Sequence, residues 1–322
     1  MRQTVVGKSG LSVAVAAFLA MAAAAFLVVP GSGFAEAPGT CLPPPSEWPL
    51  PPWLSWLANL GTLLLSAAGL AVLNRRFSFV AGTDTLLPAA FMVLAASCPC
   101  DVQRLSAGSV LAVANVAALS LLFGCSESRN NTQKLFTAAS LFSLGSAFQT
   151  AFLTFIPAYI AAAMTVKAMR AREAFAFLLG LAAPYATLFG LGLADPRAFR
   201  IGWFSPVFTA QIPAGDFAMT LGVAFTALWT VLAGCSNAFR LLKANGETRR
   251  FNSVISIVGI AAIAGCCLDF SGFTSYLPTL FMVSATQLAN AFALYPGKAS
   301  GALPFAMLVA YIALFISSSG IL

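Results

Sequence analysis

Between Lys134 and Lys167 the chain runs for 32 residues without one charged side chain. Shorter runs of the same kind recur from one terminus to the other, separated by brief polar breaks. An apolar run of about 20 residues, at 1.5 Å per residue, matches the ~30 Å hydrocarbon core of a bilayer. Composition agrees: hydrophobic residues make up 59% and charged residues 8%, against about 25% charged in a soluble domain. Too few charges remain to coat a water-facing surface. The expected fold is an all-α polytopic integral membrane protein, one membrane domain over residues 1–322.

The runs place spans at residues 11–29, 53–73, 79–96, 107–124, 174–193, 217–238, 251–268, 273–294 and 302–321. The 32-residue run is too long for one crossing and short for two, since two need about 40 residues. Basic residues decide between these. If residues 135–166 go in and come back out, 14 of the 17 basic residues fall on the cytoplasmic side. Arg104, Arg197 and Arg200 alone lie outside. A single crossing would flip every later loop and balance the two sides. The positive-inside rule therefore favours two short helices or a re-entrant hairpin. The expectation is about 11 membrane helices (10–12), with the N-terminus cytoplasmic and the C-terminus periplasmic, in a bacterial inner membrane.

Residues 1–29 carry Arg2 and Lys8 ahead of an apolar run, as a secretory signal does, and Ala35-Glu36-Ala37 offers a cleavage pattern. The run is long for a signal core, and Pro38 follows the cut. A retained first helix, or uncleaved signal anchor, is expected. Residues 30–52 form a Pro-rich outer loop, with Trp48, Trp53 and Trp56 at a membrane entrance.

The chain has no histidine. That removes His-containing catalytic triads and HExxH zinc sites. No Walker A, GxGxxG, GxSxG or EF-hand pattern is present, so neither cofactor nor metal is expected. The net charge of +7 is explained by cytoplasmic loops. No basic patch interleaved with aromatics suggests nucleic acid.

The stretches "NRRFSFVAGTDTLLPAAFMVLAAS", "LFTAASLFSLGSAF" and "REAFAFLLGLAAPY" share an Asn-Arg-Arg-Phe turn, a T-x-L-P helix start and a helix running from Arg-Glu to Pro-Tyr. With the short broken pair, they resemble an uncharacterised family of multi-spanning inner-membrane proteins of Bacteroidota over residues 74–193. "FVAGTD" is less charged than that pattern. The resemblance implies a location and a topology, not a reaction, with a lean towards polyprenyl-phosphate sugar metabolism.

Three places carry polar groups that membrane burial makes costly. Asp84 is read as a helix cap at Thr85, with an ion or proton role as the alternative. Ser140, Ser143, Ser146, Gln149 and Thr150 cluster at the expected turn of the hairpin. They are helix-packing residues or the lining of a broken-helix site, where Gln149 would bind substrate. Residues 194–216 form the longest outer loop apart from the Pro-rich one. Arg197 and Arg200 suit phosphate, and Trp203 suits a lipid chain or sugar ring. Asp195 and Asp216 are the candidate catalytic carboxylates. The bland alternative is an interfacial loop in which Asp195 pairs with Arg197. Buried, inert thiols are the default for the seven cysteines, with a bridge from Cys41 to Cys98 or Cys100 on the outer side as the alternative.

Whether the chain is an enzyme stays open. The leading expectation is an integral membrane protein that meets membrane lipid and holds a lipid-linked or small substrate near its outer face. A glycosyltransferase or polymerase-like enzyme using a polyprenyl-phosphate sugar is the second. A secondary transporter using the hairpin and Asp84 is the third.

Overall fold

The computed structural model describes residues 8–28, 39–80, 85–126, 130–199, 217–242, 245–294, 309–313 and 316. Helix is the only regular structure among them. The helices are α1 (Lys8–Val28), α2 (Pro52–Phe77), α3 (Leu86–Ala96), α4 (Pro99–Gln103), α5 (Ala107–Gly124), α6 (Asn131–Ser146), α7 (Ala151–Thr165), α8 (Ala171–Gly190), α9 (Phe217–Leu241), α10 (Gly246–Leu268) and α11 (Leu277–Leu294). Five segments are long and apolar enough to cross a membrane: Pro52–Phe77, Ala107–Gly124, Ala171–Gly190, Thr220–Arg240 and Gly246–Leu268. Leu11–Leu27, Leu86–Ala96 and Ala151–Thr165 are shorter apolar helices. The protein is therefore compatible with several crossings, and the expected number near eleven is not established.

Two boundaries differ from the sequence reading. Asn74-Arg75-Arg76 do not stop α2, which continues to Phe77. Arg75 and Arg76 sit in its last turn, where cations complement the helix dipole, and Arg76 lies 5.2 Å from the Phe77 ring centroid. Ser78 then ends the helix in the left-handed conformation, donating its backbone N–H to the Asn74 carbonyl at 2.8 Å. The next helix begins at Leu86 rather than near Phe79. At 11 residues it is about 16 Å long, too short to cross alone. Pro88 lies in its first turn, where no intrahelical donor is lost. Such a short helix is tolerated at membrane depth because protein surrounds it: it packs against α1, α2 and α11, and Leu87, Phe91 and Leu94 are fully buried.

The 32-residue run does become two helices, α6 and α7, joined by a turn at residues 147–150. The helices hold 16 and 15 residues, about 24 and 22 Å. The Pro-rich segment closes over this turn. The Cys41 and Leu42 backbone N–H groups donate to the Ala147 carbonyl at 3.0 and 2.9 Å, and the Thr40 hydroxyl donates to the Ser146 carbonyl. Trp48 meets Phe148 edge-on with centroids 5.9 Å apart. We term residues 39–50 the strap.

These contacts fix which helix ends share a side. The strap, the turn, α4 and the end of α8 lie together. At the opposite end lie Arg75, Arg76, Lys134, Lys167, Arg170, Arg172, Arg240, Arg249 and Arg250, all at the starts or finishes of helices that run there. Arg104 and Arg197 belong to the strap end. The charge asymmetry counted along the sequence is thus an asymmetry in space.

Candidate functional site

α11 is buried on every side from Leu277 to Ala291, yet it is not apolar. Thr279, Ser284, Thr286, Gln287 and Asn290 all lie inside the protein, and Ser275 just before it is buried too. Hydroxyl and amide groups cannot stay unpaired in an apolar interior without a cost of several kcal/mol. Neighbouring elements answer Ser275, Thr279, Gln287 and Asn290, whereas Thr286 donates to the Met282 carbonyl of α11 itself and the Ser284 hydroxyl has no partner among the described residues.

At the strap end, the Gln149 amide nitrogen donates to the Ser275 hydroxyl at 3.2 Å. In the middle, Asn115 of α5 donates to Thr279 at 3.0 Å. Tyr159 of α7 donates to both the carbonyl and the side-chain oxygen of Asn115 at 3.1 Å. Towards the basic end, Asn237 of α9 donates to the Gln287 backbone carbonyl at 2.8 Å and to its side-chain oxygen at 2.9 Å. The Gln287 amide reaches Ser256 of α10 at 3.4 Å. One turn on, Asn290 donates to Asn252 at 2.6 Å, and Asn252 donates to the Phe79 carbonyl at 2.7 Å. From Ser275 to Asn290 this column of uncharged polar groups covers about 22 Å of rise.

The column is not closed on itself. Three of its amide oxygens, Gln149 Oε1, Asn237 Oδ1 and Asn290 Oδ1, are buried and have no hydrogen-bond partner. Each such acceptor costs about 1–3 kcal/mol unless a donor reaches it. Helix association alone gives no reason to carry that cost.

At the basic end the column meets a cleft between α9 and α10, floored by α11. One part, of about 300 Å³, is lined by the polar side chains Asn237, Arg249, Asn252, Ser253, Ser256 and Gln287 together with Leu242, Ile257 and Ile260. An adjoining part of about 240 Å³ is lined mainly by apolar groups, among them Val231, Ile260, Ile263 and Val283. Gly234, Ala238, Ser256, Ile260 and Gln287 line both, so the two parts are continuous.

The residues singled out from sequence fare differently. Gln149 is fully buried and joins the column. Ser140 and Ser143 donate to the Gly180 and Leu181 carbonyls of α8, at 3.1 and 2.5 Å, and Ser146 bonds the Tyr185 hydroxyl at 2.7 Å. Those serines dock α6 on α8. Asp195 is exposed, and its Oδ1 accepts from the Arg197 backbone N–H at 2.8 Å. It caps the short turn Pro196–Ala198. Arg197 is exposed beside a shallow notch of about 280 Å³ lined by Tyr185, Phe189, Pro196 and Phe199. Asp84, Arg200, Trp203 and Asp216 lie outside the described residues. Cys41 is a free thiol, so the bridge to Cys98 or Cys100 is not formed. Just past α5, burial raises the Cys125 thiol to about 11, with Lys134 lowering it and Glu173 raising it further. That is an unreactive thiol.

Asn115, Tyr159, Asn237, Asn252, Gln287 and Asn290 were missed from sequence. Their signal was available: amides inside apolar spans are as informative as charges about where a polar interior lies. No family model and no curated protein matches the chain, so the resemblance over residues 74–193 gains no support from them.

Proposed function

We propose that this is a multi-pass inner-membrane carrier that moves a small polar solute along the α11 column. The observation that supports it is one helix, buried all round, bearing hydroxyls and amides through most of the membrane with acceptor oxygens left open at both ends. Polar groups inside a membrane bundle face pathways or binding cavities by default, and irregular or short helices at that depth accompany such sites. The alternative role, helix adhesion, accounts for the paired groups, each worth about 0.6 kcal/mol on average. It leaves the three open oxygens without a purpose.

In this reading the basic end is cytoplasmic by the positive-inside rule. The cleft then connects the column to the cytoplasmic side, and the strap seals the periplasmic side over Gln149. A solute offering hydroxyl or amine hydrogens complements the open oxygens.

The test needs no known substrate. Thr279→Cys and Gln287→Cys are made in a chain whose Cys41, Cys235 and Cys267 are alanine, and labelled with a small methanethiosulfonate reagent in vesicles. Ala285→Cys, fully buried on the opposite face of the same helix, is the dry control. The carrier predicts that both column cysteines react much faster than the control. Equal, slow labelling at all three would show a dry, adhesive helix and sink the proposal.

A second reading keeps a lipid-linked substrate at the outer face, as a polyprenyl-phosphate-sugar transferase would need. It is favoured by the aromatic notch at Tyr185 and Phe199 beside Arg197. Copurified polyprenyl phosphate that is lost on Arg197→Ala would support it. The Asp195 carboxylate, engaged as a cap, offers that chemistry little.

A further inference from the structure

We propose that the cleft between α9 and α10 binds one phosphate-headed membrane lipid, with its phosphate at Arg249 and its tail along the apolar end. This goes beyond the carrier reading: it concerns the same cleft and the same Asn237 oxygen, but it does not rest on transport.

The cleft is graded along its length. Among the α10 residues lining it, Arg249, Ser253, Ser256, Ile260 and Ile263 are spaced by three or four and form one stripe, flanked by Asn252, Ile257 and Gly259. From Arg249 to Ile263 the stripe covers about 21 Å. That is close to one leaflet, half of the ~30 Å core plus part of the headgroup layer. The polar and apolar ends therefore sit where the headgroup and tail of a lipid in the cytoplasmic-side leaflet already lie.

The cleft also opens sideways. Ile260 is 66% exposed and Leu242 62% exposed, and both line it. An occupant enters from the bilayer without leaving it.

Two polar features select the headgroup. Arg249 and Arg250 outweigh Glu247 in the first turns of α10, giving that end a net positive charge. A guanidinium fork pairs with phosphate through two parallel hydrogen bonds. In the same cleft, Asn237 is 1% exposed and holds an oxygen without a partner. A phosphate ester that also carries a hydroxyl, as a phosphomonoester or a glycerol or sugar headgroup does, supplies the missing donor. A purely apolar occupant leaves it unmet.

The test uses the full-length protein in dodecyl maltoside, a detergent without phosphate, with native mass spectrometry. Dioleoyl phosphatidic acid is titrated, and dioleoyl glycerol, with the same tails and no phosphate, is the comparison. The proposal predicts a one-to-one phosphatidic acid adduct and little or no diacylglycerol adduct. Arg249→Gln and Asn237→Leu should each weaken the adduct by about tenfold or more, as loss of one hydrogen bond to a charged group does. Arg249 is exposed, so its variant folds. Arg197→Gln, at the other end of the bundle, should leave binding unchanged. A diazirine on the lipid tail should label α9 and α10 peptides. Equal binding of the two lipids, or full binding by Arg249→Gln, overturns the proposal. So does displacement by millimolar inorganic phosphate alone, or a dimer crosslinked through Ile260 in place of a lipid adduct. Column labelling in the cysteine experiment can succeed or fail whatever this result is, so the two ideas fall separately.

Discussion

Replacing Gly180 by alanine separates close helix packing from loose lipid contact with a single methyl group. Gly180 lies on α8 where it faces α6. A Cβ built there comes 2.4 Å from the Phe136 carbonyl oxygen and 2.9 Å from the Ala139 Cβ. Both partners are fixed parts of a helix, so neither can swing aside, and α6 and α8 must separate by about 1 Å. Overpacking of this kind costs about 1–3 kcal/mol. The separation also strains the bonds from Ser140 and Ser143 to the α8 carbonyls and from Ser146 to Tyr185, which places the loss towards the upper end. Gly61 on α2 is the internal comparison. A Cβ there meets nothing within 4 Å, and helix propensity alone makes alanine better by up to about 1 kcal/mol. Unfolding of the detergent-solubilised protein by added SDS, followed by far-UV circular dichroism, reads both. The structure predicts that Gly180→Ala lowers the midpoint and Gly61→Ala leaves it unchanged or raises it. If Gly180→Ala is as stable as the parent, α6 and α8 do not meet as described, and the docking role given to the three serines is wrong.

Three further outcomes follow from the same contacts. Tyr159→Phe removes the donor to the Asn115 oxygens and should cost about 1–3 kcal/mol in the SDS titration; an unchanged midpoint would mean that other groups satisfy Asn115. Cys125 should resist alkylation at neutral pH, its rate rising about tenfold per pH unit towards its value near 11. A rate equal to that of glutathione refutes its burial. Because the folded state holds that proton above the ordinary value of 9.0, its contribution to stability is present below pH 9 and is lost as pH rises through about 11. Thr40→Val combined with Trp48→Ala removes two contacts of the strap on the hairpin turn. Gln149→Cys should then be labelled from the strap side, and no gain over the intact strap would show that the strap is not the seal.

The parts of this molecule that could be read from sequence are those set by local composition. Apolar runs fixed the interior of most helices, and α5 begins and ends where its run does, because Ser106 caps it with its side chain accepting from the Ser109 N–H. The 32-residue run announced the α6–α7 hairpin because the alternative would have scattered the basic residues over both sides. Boundaries near Phe77 and Leu86 escaped, since they depend on a left-handed Ser78 and on surrounding helices that shelter an 11-residue segment. The site escaped for a different reason. The charged residues of segment 194–216 contribute only a capping Asp195 and an exposed Arg197 among the described residues. Amides carry no charge and each looks like an isolated blemish in its own span. Asn115 and Thr279 are 164 residues apart, and Asn237 and Gln287 are 50 apart. Only the burial of α11 at the centre of the bundle brings them into line. A polar column of this type is a property of the tertiary assembly: each helix can tolerate one amide in lipid at modest cost, whereas a common buried face joins those single residues into one connected column. Counting Asn and Gln within spans, and asking whether one central helix collects their partners, is therefore a better guide to a neutral site than counting charges at span ends.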